Sequence, residues 1–356
     1  MPIKIISDFT TPLCYMPNGC LVCYQHGDIL ILNEGIEIQR FPVFFSKKER
    51  LLGRMIILSR LLRLGVRAAE TIDNDRIIIS VGNILYELNL NTKILSDGYY
   101  CVEGVRPLSF TTVKGIDGFV DGVYFGGYVH NFKKEPVNIY HRRGCDDWEV
   151  VYTFPRGIIN HIHNIISDPF RNCLWVLTGD FEESSAIWKI EDGFKKVERF
   201  VAGEQKWRGC VAFATQEGLL YATDAPFAQN NVYLLKDDRT VSNVCDLSGS
   251  CIYGCKWNDK YVFSTVVEPD GRNETLLRLL FGWKRGAGII DNYARIYMGK
   301  LCDGFKELHK EKKDSLPFLF QFGSFKFPAG VNESGYLFFQ SIATKQNDMK
   351  LLRISK

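Results

Sequence analysis

The 356-residue sequence predicts an all-β protein built as a single β-propeller, and three observations support this fold class. Short runs of β-branched and aromatic residues alternate with Gly, Asn and Asp turns, a pattern typical of strands joined by hairpins. These runs recur in units of about forty to fifty residues, which is the period of a propeller blade. Aromatic residues make up 13% of the chain and glycines number 31, a composition that favours strands and turns.

Seven blades are the favoured number, with six as the alternative. Complete repeat units are predicted over 13–43, 67–100, 106–154, 158–201, 208–247 and 250–321. The last stretch, 323–356, supplies only about three strands, and we expect the N-terminal strand 3–7 to supply the fourth. The ring would then close between the two chain ends, so that residues 1–356 form one domain. Such closure leaves only short strand edges exposed.

One segment, 46–64, departs from the strand pattern. Its sequence has helical periodicity, with an apolar side and interleaved arginines: Leu51, Met55, Leu58 and Leu62, with Arg54, Arg60 and Arg63 among them. We predict an amphipathic helix inserted between two blades. Two roles stay open: contact with an anionic membrane or an acidic partner, or packing of the apolar stripe against the propeller.

Charge and cysteine content narrow the functional classes. Lys and Arg total 44 against 41 Asp and Glu, a formal charge of +3, which argues against a dedicated nucleic-acid binder. The 11 cysteines lack paired CxxC knuckles at zinc-ribbon spacing, and most lie in apolar runs typical of buried, reduced thiols. The N-terminus lacks a secretory signal and no apolar run reaches transmembrane length, so we expect a cytoplasmic protein.

Polar residues at predicted strand ends give the strongest functional signal. In a propeller, residues just before the innermost strands and just after the second strands converge on one face of the ring. Residues of the first kind are Arg67, Arg106, His161, His163, Arg208, Tyr253 and Lys326. Residues of the second kind are Tyr128, His130, Asp180, Asp224 and Glu268. We therefore predict that these side chains surround one mouth of the central channel.

Three arginines, Arg67, Arg106 and Arg208, occupy equivalent repeat positions. Guanidinium groups around one channel mouth repel one another unless an anionic group lies between them, and their planar fork matches a carboxylate or phosphate. We therefore predict a site for an acidic group, such as the carboxylate of a uronic or sialic acid, or a sulfate. The alternative is that each arginine pairs with a blade-edge Asp or Glu and holds neighbouring blades together.

The pair His161 and His163 is separated by one residue, so in a strand both side chains face the same side about 7 Å apart. Two imidazoles could then bind one divalent metal ion or flank one substrate. A metal would need a third ligand, for which Asp224, Gln205 and His130 are candidates. The alternatives are an acid–base role for at least one histidine, or hydrogen bonds from both to the neighbouring blade.

The remaining candidate site residues could also have purely structural roles. Asp180 and Asp224 follow apolar strands, where a carboxylate can serve catalysis or simply cap the turn. Tyr128, Trp207 and Tyr253 are expected to form stacking platforms for sugar rings, although propeller blades also pack aromatic residues between their sheets.

The segment 124–235 resembles sialidase-like (BNR/WD40-like) propeller proteins found among bacterial capsular and exopolysaccharide biosynthesis functions, usually described as glycosidase-like. The resemblance lies in His-Ile-His at 161–163, Thr-Gly-Asp at 178–180, Gly203-x-Gln205-x-Trp207-Arg208 and Thr223-Asp224. The sialidase Asp-box is not intact, since Arg143-Gly-Cys-Asp-Asp-Trp148 keeps only its tryptophan. Metal-dependent propeller lyases are similar in the His-x-His, but Ile158 stands where they have a glutamine. The resemblance implies a glycan-facing propeller.

The first functional hypothesis is cleavage of an acidic polysaccharide by β-elimination next to a uronate. Arg106 and Arg208, with Arg67 or a metal, would neutralise the carboxylate and stabilise the enolate-like charge. One of the two histidines would remove the proton α to that carboxylate. Tyr253 or Tyr128 would then protonate the leaving oxygen.

Two other hypotheses remain. Asp180 and Asp224 could instead hydrolyse the glycosidic bond as a carboxylate pair. A third hypothesis is non-catalytic: a propeller that binds an acidic glycan or scaffolds a biosynthetic assembly, docking on a membrane through 46–64. The fold hosts all of these functions, so it cannot decide between them.

Overall fold

A computed structural model of the chain describes residues 2–43, 45, 51–53, 55–102, 105–269, 275–282 and 284–356. These residues form seven antiparallel sheets, the arrangement of a seven-bladed β-propeller. The predicted all-β fold and the favoured blade number are therefore confirmed. The chain divides into two compact units: unit I, made of Met1–Val66, Pro226–Asn230 and Asp246–Lys356, and unit II, made of Arg67–Ala225 and Asn231–Cys245.

The N-terminal part of unit I contains one complete sheet and the first helix. Its elements are β1 (Ile3–Ser7), β2 (Thr11–Tyr15), β3 (Leu21–Gln25), β4 (Asp28–Asn33), β5 (Ile36–Pro42) and helix α1 (Ile56–Leu62). Strands β2 to β5 pair in chain order as an antiparallel sheet.

Unit II contains four sheets. The first has β6 (Ala68–Thr71), β7 (Arg76–Val81), β8 (Ile84–Asn89), β9 (Ile94–Leu95) and β10 (Tyr99–Tyr100). The second has β11 (Thr111–Val113), β12 (Gly122–Gly126), β13 (Val137–Gly144) and β14 (Asp147–Phe154). The third has β15 (His161–Asp168), β16 (Cys173–Gly179), β17 (Ala186–Glu191) and β18 (Lys196–Ala202). The fourth has β19 (Gly209–Ala214), β20 (Leu219–Thr223), β21 (Asn230–Leu235) and β22 (Val241–Leu247).

The C-terminal part of unit I completes the fold with two sheets and a second helix. The first sheet has β23 (Cys251–Trp257), β24 (Lys260–Thr265), β25 (Tyr293–Lys300) and β26 (Gly304–Lys312), with helix α2 (Leu276–Phe281) between its second and third strands. The last sheet combines β27 (Ser324–Lys326), β28 (Tyr336–Ile342) and β29 (Leu351–Ser355) with β1. Strand β1 pairs antiparallel with β29, with Ile3 opposite Ile354.

The fraction of residues that a strand buries depends on the position of that strand in its blade. Every residue of β16 and of β20 is buried, whereas β22 buries only its last residue. A strand covered on both faces needs a continuous apolar run, and CLWVLTG in β16 is such a run. Between the sheets of unit II, aromatic rings pack edge to face, as Trp188 does on Phe154 with ring centroids 5.0 Å apart.

Helix α1 covers only part of the segment 46–64 predicted to be helical, and residues 46–50 and 54 lie outside the described residues. Its buried residues are Ser59 and Arg60, not the predicted apolar side. Arg60 is 1% exposed, donates from Nε to the Phe320 carbonyl at 2.7 Å, and places Nη1 2.5 Å from Asp314 and 3.0 Å from Asp348. The helix is thus fixed by an ion pair, while Met55 on the predicted apolar stripe is 55% exposed.

Helices of membrane-spanning character are not found among the described residues: none of them combines the length and the apolar sequence needed to cross a bilayer.

Glu70 on β6 should make the stability of the protein depend on pH. Burial raises the pKa of its carboxyl to about 7, against a smaller lowering by the hydrogen bond from the Thr71 N–H. Since the folded pKa lies above the unfolded one, the free energy of unfolding should fall as pH rises from about 4.5 to about 7. We expect Glu70→Gln to raise the melting temperature at pH 8 but not at pH 4.

A suitable comparison is Glu37→Gln, because the hydrogen bond from Arg40 lowers the pKa of Glu37. The change in melting temperature should have the opposite sign in that variant, which should be less stable than the parent protein at pH 8. Thermal melts of both variants at the two pH values test the assignment, and equal pH profiles for Glu70→Gln and the parent protein would contradict it.

Candidate functional site

The two histidines of the His-x-His motif lie at the start of β15, in unit II. The register of β15 against β16 shifts between Ile162 and Asn164, so His163 has no cross-strand partner in the pairing. Both imidazoles are buried, with 4% of each residue exposed, and their Nε2 atoms are 3.0 Å apart. The predicted meeting of the two rings at one point is therefore present in the structure.

The other ring nitrogens fix how these imidazoles are protonated. His161 Nδ1 lies 3.1 Å from the Val129 carbonyl oxygen, and His163 Nδ1 lies 3.0 Å from the Gly209 carbonyl oxygen. A carbonyl oxygen only accepts, so each Nδ1 must carry the hydrogen and donate it. The neutral rings therefore direct the lone pairs of both Nε2 atoms towards each other.

Asp180, which directly follows β16, adds a third acceptor. Its Oδ1 lies 3.3 Å from the Nε2 atom of each histidine. Two imidazole nitrogens and one carboxylate oxygen thus surround a single point, the donor set of a two-histidine, one-carboxylate metal site. Sequence analysis named Asp180 as a catalytic candidate but did not include it among the third metal ligands.

Arg208 links the carboxylates of Asp180 and Asp224. Its Nη2 lies 3.2 Å from Asp180 Oδ1, Nη1 donates to the Asp180 carbonyl at 3.2 Å, and Nε donates to Asp224 Oδ2 at 3.3 Å. Only 11% of the side chain is exposed. The arginine therefore sets the position of Asp180, which is the pairing alternative weighed for the predicted arginines.

Asp224 and Cys210 form a second group of side chains in the site. Cys210 Sγ lies 3.4 Å from Asp224 Oδ2, and both side chains group with His163 within 4.8 Å. Burial raises the pKa of the Cys210 thiol well above its usual value. Asp224 Oδ1 is buried and has no hydrogen-bond partner among the described residues. Cys210 was not named from the sequence as a site residue, and the register of β19 against β20 shifts at this residue, between Gly209 and Val211.

Tyr128 and Arg106 flank the histidines. The Tyr128 ring centroid lies 4.4 Å from that of His161, and the Arg106 guanidinium carbon lies 5.7 Å from the Tyr128 ring. Their backbones exchange hydrogen bonds of 3.0 and 3.1 Å. Burial raises the pKa of Tyr128 well above its usual value. The structure therefore places Tyr128 beside the histidine pair and Arg106 beside Tyr128.

The predicted residues Gln205 and Trp207 differ in role. Gln205 Nε2 donates to the Asp180 carbonyl at 3.0 Å, and the Ser185 hydroxyl donates to the same oxygen at 3.0 Å. Gln205 therefore helps to hold Asp180 in place, together with Ser185, which sequence analysis missed. Trp207 is 6% exposed and packs in a core cluster with Trp175, so it lies between sheets where a sugar ring could not stack on it.

Two other predicted residues, His130 and Arg67, also belong to unit II. His130 is exposed and stacks on Phe132 with ring centroids 5.5 Å apart. Arg67 directly precedes β6 and its backbone N–H donates to the Ser80 carbonyl at 2.9 Å. Three candidates belong to unit I: Tyr253, Glu268 and Lys326. The Nζ of Lys326 donates to the Val66 carbonyl at 3.1 Å.

Electrostatics keep Asp180 ionised. Burial acts to raise the pKa of this carboxyl, but its close contacts with His161 and His163 and the charge of Arg208 outweigh burial and hold the pKa well below its usual range. Burial also lowers the pKa of His161, and the contact with Asp180 offsets part of that effect. An ionised carboxylate and a neutral His161 are the forms that can bind a cation.

No protein-family model matches the chain, and no curated protein sequence matches it. Among solved structures, the Cps50 (Swd1) β-propeller domain of Myceliophteria thermophila aligns over 100% of both chains, with a TM-score of 0.57 and 9% identity. An oligogalacturonate lyase in complex with manganese aligns over 99% of this chain and 92% of its own, with a TM-score of 0.60 and 9% identity. A chain of the mitotic checkpoint complex aligns over 100% and 93%, with a TM-score of 0.55 and 7% identity.

Identities of 7 to 9% show a common fold and leave activity open. The three structures include both a lyase and a member of a checkpoint complex, so the fold alone does not select an activity. The chain is thus similar in fold to known β-propellers, and its own sequence builds a His161–His163–Asp180 cluster into that fold.

Proposed function

We propose that His161, His163 and Asp180 hold a divalent metal ion and that the protein cleaves an acidic, uronate-containing polysaccharide by β-elimination. The proposal rests on three acceptor atoms that face one another. The Nε2 atoms of His161 and His163 lie 3.0 Å apart, and Asp180 Oδ1 lies 3.3 Å from each of them. In the neutral rings, neither Nε2 atom carries a hydrogen that could form a hydrogen bond among the three. Polysaccharides of bacterial capsules are one class of such substrates, and the resemblance in sequence points to them.

The distances fit a coordinated cation. Lone pairs 3.0 Å apart repel one another unless a cation or a proton lies between them, and both Nδ1 hydrogens are already donated to carbonyl oxygens. Metal bonds of about 2.1 Å at right angles place neighbouring ligand atoms about 3.0 Å apart. Asp180 is itself held in position by contacts with Arg208, Gln205 and Ser185. Metal sites require such a second layer of contacts around their ligands.

An acidic sugar is the substrate class that suits such a centre. A bound divalent ion supplies positive charge that can neutralise a uronate carboxylate and make its α proton more acidic. The similar fold of an oligogalacturonate lyase in complex with manganese supports this choice. Since both Nε2 atoms face the cation position, neither histidine has a nitrogen left to remove a proton. Tyr128 and Arg106 are the neighbouring side chains available for proton transfer and for contact with the sugar.

Hydrolysis by Asp180 and Asp224 is less well supported by the geometry. A general acid must carry a proton in the free enzyme, whereas Arg208 contacts both carboxylates at 3.2 and 3.3 Å and the pKa of Asp180 is held well below its usual range. The carboxylates therefore suit ligand and positioning roles better than acid–base catalysis.

The proposal is tested by metal analysis combined with assays on a panel of acidic polysaccharides. We expect the purified chain to bind manganese or zinc and to produce unsaturated uronates, seen as ultraviolet absorbance. The His161→Ala variant should lose metal affinity by at least about 100-fold and lose the product with it. His130→Ala, a change of an exposed histidine near the same strands, should leave both unchanged.

Three results would decide against this proposal. Metal-free protein that releases new reducing ends without ultraviolet absorbance indicates hydrolysis. Metal binding without any product over the whole panel indicates a non-catalytic binding propeller, which the likeness to the Swd1 domain and the checkpoint-complex chain also permits. Retention of metal by His161→Ala would remove the basis of the site itself.

A further inference from the structure

Helices α1 and α2 of unit I expose apolar side chains on their outer sides. Both helices pack against the 3-10 turn Phe318–Phe320, so they belong to one face of the unit. We call their exposed apolar residues the helix surface: Met55 (55% exposed), Ile57 (55%), Leu62 (40%), Leu277 (67%) and Phe281 (65%). A folded protein gains nothing from exposing such a group of large apolar side chains in water, so the helix surface indicates a binding partner.

The helix surface has a rigid base. Arg60, on the opposite side of α1 from the solvent, is 1% exposed and bound to Asp314, Asp348 and the Phe320 carbonyl. This attachment fixes the rotation of α1, so Ile57 is held in solvent by the fold. The exposure of the apolar side chains is therefore a built feature of the helix.

The sequence around the helix surface is strongly basic. Residues 46–66 contain six Lys or Arg and one Glu, and residues 275–285 contain three Lys or Arg and no acidic residue. Among the described residues, Arg63 and Lys284 are exposed. Apolar side chains bordered by cations match the boundary of an anionic membrane, where headgroup phosphates lie beside acyl chains.

A cavity of about 840 Å³ next to α1 adds a place for a headgroup. Ile56 and Arg60 of α1 line it, and so do Lys312, Lys345 and the mostly buried Lys313. Its two acidic residues, Asp314 and Asp348, are already bound to Arg60. Lys312 and Lys345 are exposed and form no ion pair with any described residue. The cavity thus keeps an excess of positive charge that suits a phosphate.

We propose that the helix surface docks the protein peripherally on an anionic phospholipid membrane, with the adjoining cavity receiving a headgroup phosphate. The apolar side chains enter the acyl boundary, and the lysines and arginines contact the phosphates. A protein partner with an apolar groove would cover the apolar residues but would leave the cations of the cavity without counterparts. The inference is independent of the metal site, which lies in unit II.

Sedimentation of the full chain with vesicles tests the proposal. The chain should bind vesicles that contain phosphatidylserine in phosphatidylcholine, bind weakly to phosphatidylcholine alone, and bind less at high salt. Lys312→Glu with Lys345→Glu should lower the partition coefficient by at least about tenfold. Ile57→Asp with Phe281→Asp should abolish binding. The control is Ile38→Asp on β5, because Ile38 is about as exposed (58%) but belongs to a strand outside both helices; this variant should bind vesicles like the parent protein.

Three outcomes would overturn the proposal. Equal binding to neutral and anionic vesicles removes the role of the cations, and equal losses in the Ile38→Asp control remove the role of the helix surface. Failure to bind any vesicle, together with self-association that Ile57→Asp disrupts, assigns the helix surface to a second copy of the chain instead.

Discussion

The Gly179→Ala variant is expected to lose metal binding while most of the fold remains. A Cβ atom on Gly179 would lie 2.3 Å from His163 Cε1 and 2.7 Å from His163 Nε2. The imidazole cannot move aside without breaking its hydrogen bond to the Gly209 carbonyl, and it is 4% exposed. We expect metal affinity to fall by at least about 100-fold, with an unfolding free energy lower by about 1–3 kcal/mol because of the overpacking.

The matched control is Gly144→Ala in β13, in the same unit. A Cβ atom there would meet nothing within 4 Å, so this variant should bind metal and unfold like the parent protein. Isothermal titration with manganese and urea unfolding measure the two effects. Normal metal affinity in Gly179→Ala would show that His163 is not a ligand, whatever the stability of the variant.

Arg60→Met should be among the most destabilising single changes in unit I. The substitution keeps much of the apolar volume but leaves the Asp348 carboxylate, 20% exposed, without its cation, and leaves Asp314, 16% exposed, with Lys313 alone. Removal of one partner from a buried ion pair costs about 3–5 kcal/mol. Burial already raises the pKa of Asp348, despite the opposing charge of Arg60. Without Arg60 that pKa should rise further, so the loss should shrink as the pH falls from 7 to 4 and Asp348 takes up a proton.

Arg63→Met provides the comparison, since it makes the same change one turn along the segment. Arg63 is exposed and lies 5.8 Å from the Phe322 ring, a contact worth less than about 1 kcal/mol at such a site. Urea unfolding at pH 7 and pH 4 separates the two variants. Equal, small losses would mean that Arg60 does not anchor α1, and the rigid base of the helix surface would then be in doubt.

Sequence patterns predicted the sheets because blade strands are joined by short local turns. In the unit predicted over 158–201, for example, β15 and β16 are joined by residues 169–172 and pair antiparallel. The position of Arg60 could not be predicted in the same way. Its partners Asp314 and Asp348 are 254 and 288 residues away, and helical periodicity instead favoured burial of the apolar side.

The sequence predicted which strand ends contribute residues to the site, but it did not predict the role of each residue. The positions of His161, His163, Asp180 and Arg208 at the strand ends of the repeats predicted that they lie close together. The structure places them in contact. Which oxygen faces which nitrogen depends on the register shift at His163, and sequence spacing does not reveal it. The pairing of Arg208 with carboxylates of two different strand ends likewise depends on contacts between blades.

The pairing of β1 with β29 has a consequence for synthesis of the protein. Strand β1 is translated before the other described strands, yet its hydrogen-bonding neighbour, 351–355, is translated after them. Until that neighbour is made, the backbone N–H and C=O groups of β1 have no strand to pair with. Chaperones that bind short apolar segments therefore have a target at Ile3–Ser7 while the blades are being made.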